Sequence, residues 1–276
     1  MRNRWYPWLI SIVVFLVWEA LARSGVIPTL FFPAPTRILS ALVELARSGE
    51  LADHLRISLL RVTLGFLIGG GAGLAVGWLT GWFPALRHAV DPLMAALHPL
   101  PKVALLPLML VVFGLGERAN VVVVATAAFF PMMISTMSGV RDLPDIYFEV
   151  AQGFGATHGT VFRRIIVPGS LPSVLTGVRL AANVALLVSI SVELVSTDAG
   201  LGNRIWFAWQ TFRIEDLWAY LVVISLLGIV LMASVRLLDR LVVPWKHLGA
   251  RAGPTTTGKA ARSRFNVKKS EARDVV

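Results

Sequence analysis

Apolar runs of roughly membrane-spanning length decide what this chain can become. They cover residues 8–21, 59–82, 93–113, 121–137, 172–195 and 217–242, about six in all, and a hydrocarbon core about 30 Å thick asks for roughly 20 apolar residues per helical crossing. In that solvent only helices and closed barrels satisfy every backbone polar group. Barrel-type alternation in ten-residue segments is absent. An all-α, polytopic helical bundle is therefore expected. Composition agrees, since 56% hydrophobic and 15% charged residues over 276 positions is too apolar for a soluble domain of this length.

Several runs are marked internally. The second carries Gly65, Gly69, Gly73, Gly77 and Gly81, one every four residues, a ladder that lets another helix approach closely. The approaching helix belongs either to the same subunit or to a second copy or pathway surface. The third run contains HPLPKVALLP, with Pro99, Pro101 and Pro107 around Lys102. Proline removes a donor and kinks a helix, which at membrane depth is tolerated only beside protein or a water-filled cavity. Pro101 and Lys102 are accordingly pathway candidates; the plain alternative is an interfacial turn ahead of a shorter span. Glu19 and Glu193 lie in or near spans, where a carboxylate needs a partner or water. Glu193 precedes STDAGLGNR and is expected at the outer mouth, either as a gate or as a water-facing interfacial residue.

The net charge of +10 is concentrated beyond residue 244, in Lys246, Arg251, Lys259, Arg262, Arg264, Lys268, Lys269 and Arg273. A basic segment after a last span belongs on the cytoplasmic side, against anionic membrane lipid. It lacks the interleaved aromatics of a base-stacking surface, so no nucleic-acid partner is expected. An even number of spans then puts both termini in the cytoplasm. The basic, apolar amino end reads as a retained first span, without a clear cleavage site. The organisation expected is a first span with an external amphipathic segment over 1–58, where Ile38, Leu42 and Leu45 share a helical face, a membrane core over 59–243, and a basic, disordered cytoplasmic tail over 244–276.

Within the core, a polar cytoplasmic stretch at about 142–170 contains EVAQGFGATHGTVFRRIIVP. Pro144 can open a short helix in which Tyr147, Ala151 and Phe154 share an apolar face and Glu149 points away. Gly153 and Gly155 should end it. Thr157 can cap a second short helix, where Val161, Phe162, Ile165 and Ile166 cluster and Arg164 projects outward, until Pro168 stops it. Each piece has an apolar face to dock and is too short to span.

Chemistry of the chain's own is not in evidence. There is no cysteine for a disulfide or thiolate site, and His54, His88, His98, His158 and His247 show no ligand spacing. No GxxxxGK[ST], GxSxG or HExxH occurs, and GFGATHG lacks the strand that a dinucleotide fingerprint follows. Neither a metal, a cofactor nor catalysis is expected.

The cytoplasmic stretch resembles the EAA loop of ABC importer permeases, in which Glu-Ala-Ala, three residues, Gly, nine residues, Ile, one residue and Leu-Pro follow one another. Glu149, Ala151, Gly155, Ile165 and Pro168 occupy matching positions, with Val150 and Val167 replacing an alanine and a leucine. LPKVALLPLMLVVFGLGE, FFPMMISTMSGV, LPSVLTGVRLA, AGLGNRI and SGELADHLRISLLRVTLGF extend the resemblance over almost the whole chain, toward the branch importing taurine, aliphatic sulfonates or nitrate. The resemblance implies a type I ABC importer permease (MetI-like) fold in a bacterial inner membrane. It further implies two copies of this chain forming the pathway, two separate ATPase subunits attached through Glu149, Ala151, Gly155, Arg163, Arg164, Ile165 and Pro168, and an extracytoplasmic solute-binding protein. The cargo implied is a small oxyanion, sulfonate or taurine first and nitrate second. A positive lining would suit it, and Arg56, Arg61, Lys102 and Arg179 are the cations available. Two other classes compete: an ion-coupled secondary transporter, for which no inverted repeat is visible, and a non-transporting membrane scaffold.

Overall fold

A computed structural model describes residues 6–114 and 116–243, and every element among them is helical. Contacts divide the chain into the units Met1–Val235 and Arg236–Val276. The second is described only for the last turns of a helix, and the basic tail expected over 244–276 lies outside the described residues.

Helix α1 (Tyr6–Arg23) is fastened to α2 (Pro35–Arg47) by Glu19. Its carboxylate pairs with Arg23 Nε at 2.5 Å and accepts from the Thr36 N–H at 3.1 Å and the Thr36 hydroxyl at 2.8 Å. A negative charge on the open first-turn donors of a helix is favourable. The acid flagged in the first run thus holds the start of α2. Ile38, Ala41 and Leu45 of α2 are buried against Leu201, Tyr220 and Val223, so the amphipathic segment docks on protein.

Helix α3 (Glu50–Trp82) starts after Gly49, which adopts φ 82. It begins ahead of the expected 59, so the boundary at 58 falls inside a helix. The reason is that His54 and Ser58 are buried by protein, while hydropathy reads them as polar and external. Helix α4 (Pro84–Leu97) leads through a 3₁₀ turn (Lys102–Leu105) to α5 (Leu106–Phe113). α6 spans Glu117–Arg141, α7 Asp145–Gly153 and α8 His158–Val161; a π turn (Phe162–Ile166) joins α8 to α9 (Val167–Ser196). α10 (Leu201–Gln210) and α11 (Ile214–Val242) complete the described chain. Four helical stretches, 50–82, 117–141, 158–195 and 214–242, are long and apolar enough to cross a membrane, or up to five with the bent pair α4 and Lys102–Phe113. α1 adds an apolar helix of 18 residues. The third run is therefore not one straight helix, for its two arms meet at 92°.

α3, α6 and α9 form the centre, where Val62, Val124, Ala128, Met132, Val174, Ala181 and Ala185 interlock. The glycine ladder is the α3 side of this packing. A Cβ at Gly69 would sit 1.8 Å from the Ala125 carbonyl oxygen, at Gly73 2.5 Å from that of Phe129, and at Gly77 2.6 Å from Thr136 Cβ. Only hydrogen fits, and the two backbones touch. Of the alternatives for the ladder, packing within one subunit is the one realised.

Candidate functional site

At one end of the bundle the loop folds as a helix, a turn and a helix. α7 follows Pro144 and closes at Gly155, whose φ is 64. The Ala156 N–H donates to the Ala151 carbonyl and the Gly155 N–H to that of Gln152, both at 2.9 Å, the Schellman closure that favours glycine in the left-handed position. The Thr157 hydroxyl accepts from the Thr160 N–H and caps α8. Pro168 does not stop the second helix, which continues as one from His158 to Val195. In the π turn the Val167 N–H reaches back to the Phe162 carbonyl. That wider turn gives the Pro168 ring room within the continuing helix.

The loop rests on a platform of rings at the end of α3. Phe162 stacks on Trp82 at 5.6 Å and meets Trp78 edge-on at 5.7 Å, while Trp78 Nε1 donates to Ser170 Oγ at 3.1 Å. Ala151, Val161 and Ile166 are buried there, with Phe148 and Ile165 packed against them. Tyr147 and Phe154 do not share the inner face with Ala151: they are exposed, Phe154 by 88%. The small Ala151 is what lets α7 come close, and the large rings turn out beside Ile146 and Val150. Glu149, Gly155, Arg163 and Arg164 are exposed, and Pro168 and Ile165 are half-buried. Thr157, Gly159, Thr160, Arg163 and Arg164 line an open cavity of about 490 Å³.

Pro101 precedes the 3₁₀ turn between α4 and α5. Lys102 Nζ donates to the carbonyls of Leu97, His98 and Leu100 at 2.8, 2.9 and 2.8 Å. It also stands 4.3 Å from the centre of the Phe130 ring. The ammonium thus satisfies the open carbonyls where α4 ends. Phe130 is near the middle of α6, so the break packs against the middle of that helix and not against its end.

At the opposite end Glu193 is wholly buried, with an exposure of 0%. It faces protein donors where water was expected. Ser58 Oγ donates to it at 2.7 Å, the Gly202 N–H at 3.0 Å, and Arg61 pairs with it at 3.2 Å. Arg61 also grips both oxygens of Glu117 and donates to the Ala199 carbonyl at 2.7 Å. The Leu201 N–H donates to Ser58 and that of Gly200 to His54. One guanidinium therefore ties α3, α6, α9 and the start of α10 together, and Gly200, with φ 116, leaves no space for a side chain beside it. Sequence reading missed Ser58 and Arg61 as partners of Glu193, Glu117 as the second partner of Arg61, and His54 as the acceptor for the Gly200 N–H. The signal available was that a carboxylate inside a span requires donors, and Arg61 is a cation within the apolar run of α3.

Comparison with known proteins identifies the family. The family described as "Binding-protein-dependent transport system inner membrane component" matches residues 69–246. The chain belongs to this family. It is 32% identical over 246 residues, 88% of this chain and 89% of the other, to "Putative aliphatic sulfonates transport permease protein SsuC" of Bacillus subtilis (strain 168). It is 31% identical to "Taurine transport system permease protein TauC" of Escherichia coli (strain K12), over 84% of this chain and 86% of that one. A solved structure titled "Inward facing conformations of the MetNI methionine ABC transporter" superposes with TM-score 0.61 at 19% identity, covering 67% of this chain and 93% of its own. That likeness shows the fold, the type I importer permease bundle expected from the sequence. The protein is thus a multi-pass inner-membrane permease component of a binding-protein-dependent ABC importer.

Proposed function

We propose that this permease imports an aliphatic sulfonate or taurine, with nitrate as the second candidate, and is driven by separate ATPase subunits that attach at the 142–170 loop. The observation that carries the reading is the loop's construction. α7 offers Ile146, Tyr147, Val150 and Phe154 on its surface together with Glu149, Arg163 and Arg164 beside them, while its inner side is anchored on Trp78 and Trp82. An apolar patch rimmed by charge suits a protein partner. Because α8 runs without interruption into α9, a displacement of the loop is carried into the membrane. Two conformations of the pathway, biased from outside the chain, are what alternating access requires.

The second copy is part of the proposal. No residue of α4 is buried, and Leu108, Val111 and Val112 of α5 are exposed, so the bent element has a large face for another subunit and for the route between them. Both termini are assigned to the cytoplasm with the loop. The solute-binding protein delivers the cargo from the other side, and the sulfonate and taurine permeases among the relatives support the cargo class.

The test is co-purification with the ATPase and uptake in proteoliposomes containing the binding protein. Glu149→Lys and Gly155→Pro are each expected to leave folded permease in the membrane without ATPase attachment or coupled uptake. Full uptake by either would overturn the coupling assignment, and uptake that follows a proton gradient without the ATPase would favour an ion-coupled carrier.

A further inference from the structure

The uncovered side of α2 joins two hollows of opposite character. The first is an apolar groove of about 560 Å³ between α1, α2 and α11, with Phe15, Trp18, Leu39, Leu42, Leu221 and Leu226 in its walls. The hydroxyl in it, that of Ser225, donates to the Leu221 carbonyl of its own helix at 2.8 Å. The groove runs along the apolar helix α1 and the first turns of α11, a helix apolar enough to cross a membrane. The solvent that fills it is therefore an acyl chain. Entry from the surrounding bilayer gains no hydrophobic energy, because lipid tails are as apolar as leucine. Whatever singles out one lipid must come from its headgroup.

The second hollow, of about 460 Å³, is polar and is lined by Arg37, Glu44, Arg213, Glu215 and Asp216. Arg37 pairs with Glu215 at 3.4 Å and Arg213 with Asp216 at 2.7 Å. With two guanidiniums against three carboxylates, the hollow is short of a cation, and Glu44 is the acid without an ion pair among the described residues. A carboxylate in the last turn of a helix also opposes the helix dipole, and α2 ends at Arg47. The position of Glu44 is thus unfavourable to α2 itself. Arg47 likewise makes no ion pair among the described residues.

Between the hollows the side chains of α2 follow a definite order. Leu39, Val43, Arg47 and Glu44 are all exposed, and at about 100° per residue the last three stand roughly 40°, 80° and 140° around the helix from Leu39. Read across the helix from the groove, the order is apolar, apolar, cation, anion. A zwitterionic phospholipid carries its groups in the complementary order of acyl chain, phosphate and ammonium. Glu44 and Arg47 are three residues apart, a spacing at which Cβ atoms lie about 5–6 Å from each other, so one headgroup can meet both.

We propose that α2 carries a binding site for a single phosphatidylethanolamine molecule, with an acyl chain in the groove beside Leu39, the phosphate on Arg47 and the ammonium on Glu44 in the polar hollow. A guanidinium meets phosphate oxygens bidentately, and the primary ammonium supplies the cation that Glu44 lacks. An anionic phosphatidylglycerol would satisfy Arg47 and leave Glu44 uncovered. The bound lipid fastens α1 and α2 to α11 from the membrane side. The site draws on neither the cargo nor the ATPase loop, so it stands or falls apart from both.

The test titrates full-length permease, stripped of lipid in detergent, with phosphatidylethanolamine or phosphatidylglycerol of identical acyl chains, and counts bound lipid by native mass spectrometry. One phosphatidylethanolamine should be retained about tenfold more tightly than phosphatidylglycerol. Glu44→Gln should erase that preference, and Arg47→Gln should weaken both lipids about tenfold. Ser225→Phe fills the groove and should weaken both lipids as well. Leu39→Asn, at an exposed position where packing is undisturbed, should do the same from the groove's edge and keeps the test decisive if Ser225→Phe fails to fold. Equal retention of the two lipids by the parent, or a preference that survives Glu44→Gln, overturns the proposal. Retention unchanged in a folded groove variant overturns it too, since the chain would then lie elsewhere.

Discussion

The two ends of the α3, α6 and α9 bundle handle charge in opposite ways. At one, Arg61 and Glu193 are exposed by 3% and 0% and spend their hydrogen bonds on each other, on Ser58, on Glu117 and on the backbone before α10. At the other, rings are buried and charges are left outside: Phe162 lies between Trp78 and Trp82, while Glu149, Arg163 and Arg164 face outward. No ion pair to Glu149 occurs among the described residues. The first end pairs its charges within the chain, and the second leaves its charges exposed, on the face that the proposed ATPase would cover. Substitutions should therefore be felt as stability at the first end and as assembly at the second.

The largest effect is expected from Glu193→Leu. It leaves the Arg61 guanidinium buried beside an apolar side chain, and removing one partner of a buried pair costs about 3–5 kcal/mol. Thermal unfolding in detergent should show a strongly lowered midpoint, or loss of the monodisperse species. Arg61→Met combined with Glu193→Leu should recover part of the loss, since the buried guanidinium left with Glu117 as its one remaining carboxylate is then absent. A midpoint for Glu193→Leu equal to that of the parent would mean the carboxylate is not sealed in as described.

Next comes the ladder joining the two ends. Gly69→Ala drives a methyl group against the Ala125 carbonyl, an overpacking that costs about 1–3 kcal/mol. Gly71 provides the internal contrast, because nothing lies within 4 Å of a Cβ placed there. Gly71→Ala should be neutral or stabilising by up to about 1 kcal/mol, through helix propensity alone. Equal shifts in the two variants' unfolding midpoints would contradict the close contact between α3 and α6.

How far the sequence carried can be judged from these same residues. Hydropathy located the spans and the ladder because both are local patterns, repeated at helical spacing. The caps at Thr157 and Gly155 were equally legible, since capping chemistry is set by one residue and its neighbours. The start of α3 was not, because His54 and Ser58 look external until Gly200 and Glu193 supply their partners from more than a hundred residues away. The exposed position of Phe154 was missed for a related reason. A helical wheel tells which residues share a face, and the choice of which apolar face turns inward belongs to the tertiary contact. Pro168 reads as a stop in any local scheme, and only the π turn before it shows how the helix continues.

A smaller stability effect tests the loop's own construction. Thr157→Ala removes the hydroxyl that accepts from the Thr160 N–H and should cost about 1 kcal/mol of local stability. Hydrogen exchange at the amides of α8 should rise while those of α3 and α6 near Arg61 stay protected. Exchange that rises equally at both ends would mean that the two regions do not melt independently.

The smallest expected change in stability is also the sharpest separator of the two ends. Phe154 is 88% exposed, so Phe154→Ser removes little buried area and should move the unfolding midpoint by less than about 0.5 kcal/mol. The same ring is the most exposed of the apolar side chains on α7, and a large aromatic held out into water is the kind of anchor that dominates protein interfaces, where truncation often costs 2 kcal/mol or more, roughly thirtyfold in affinity. Titrating the purified ATPase against immobilised permease should show that weakening for Phe154→Ser. Leu180→Ser, at an exposed position outside the loop, should leave ATPase binding unchanged. Were both variants to bind the ATPase like the parent, the exposed rim of α7 would have to be reassigned from partner contact to the lipid surface, and the proposed docking role of the loop end would fall.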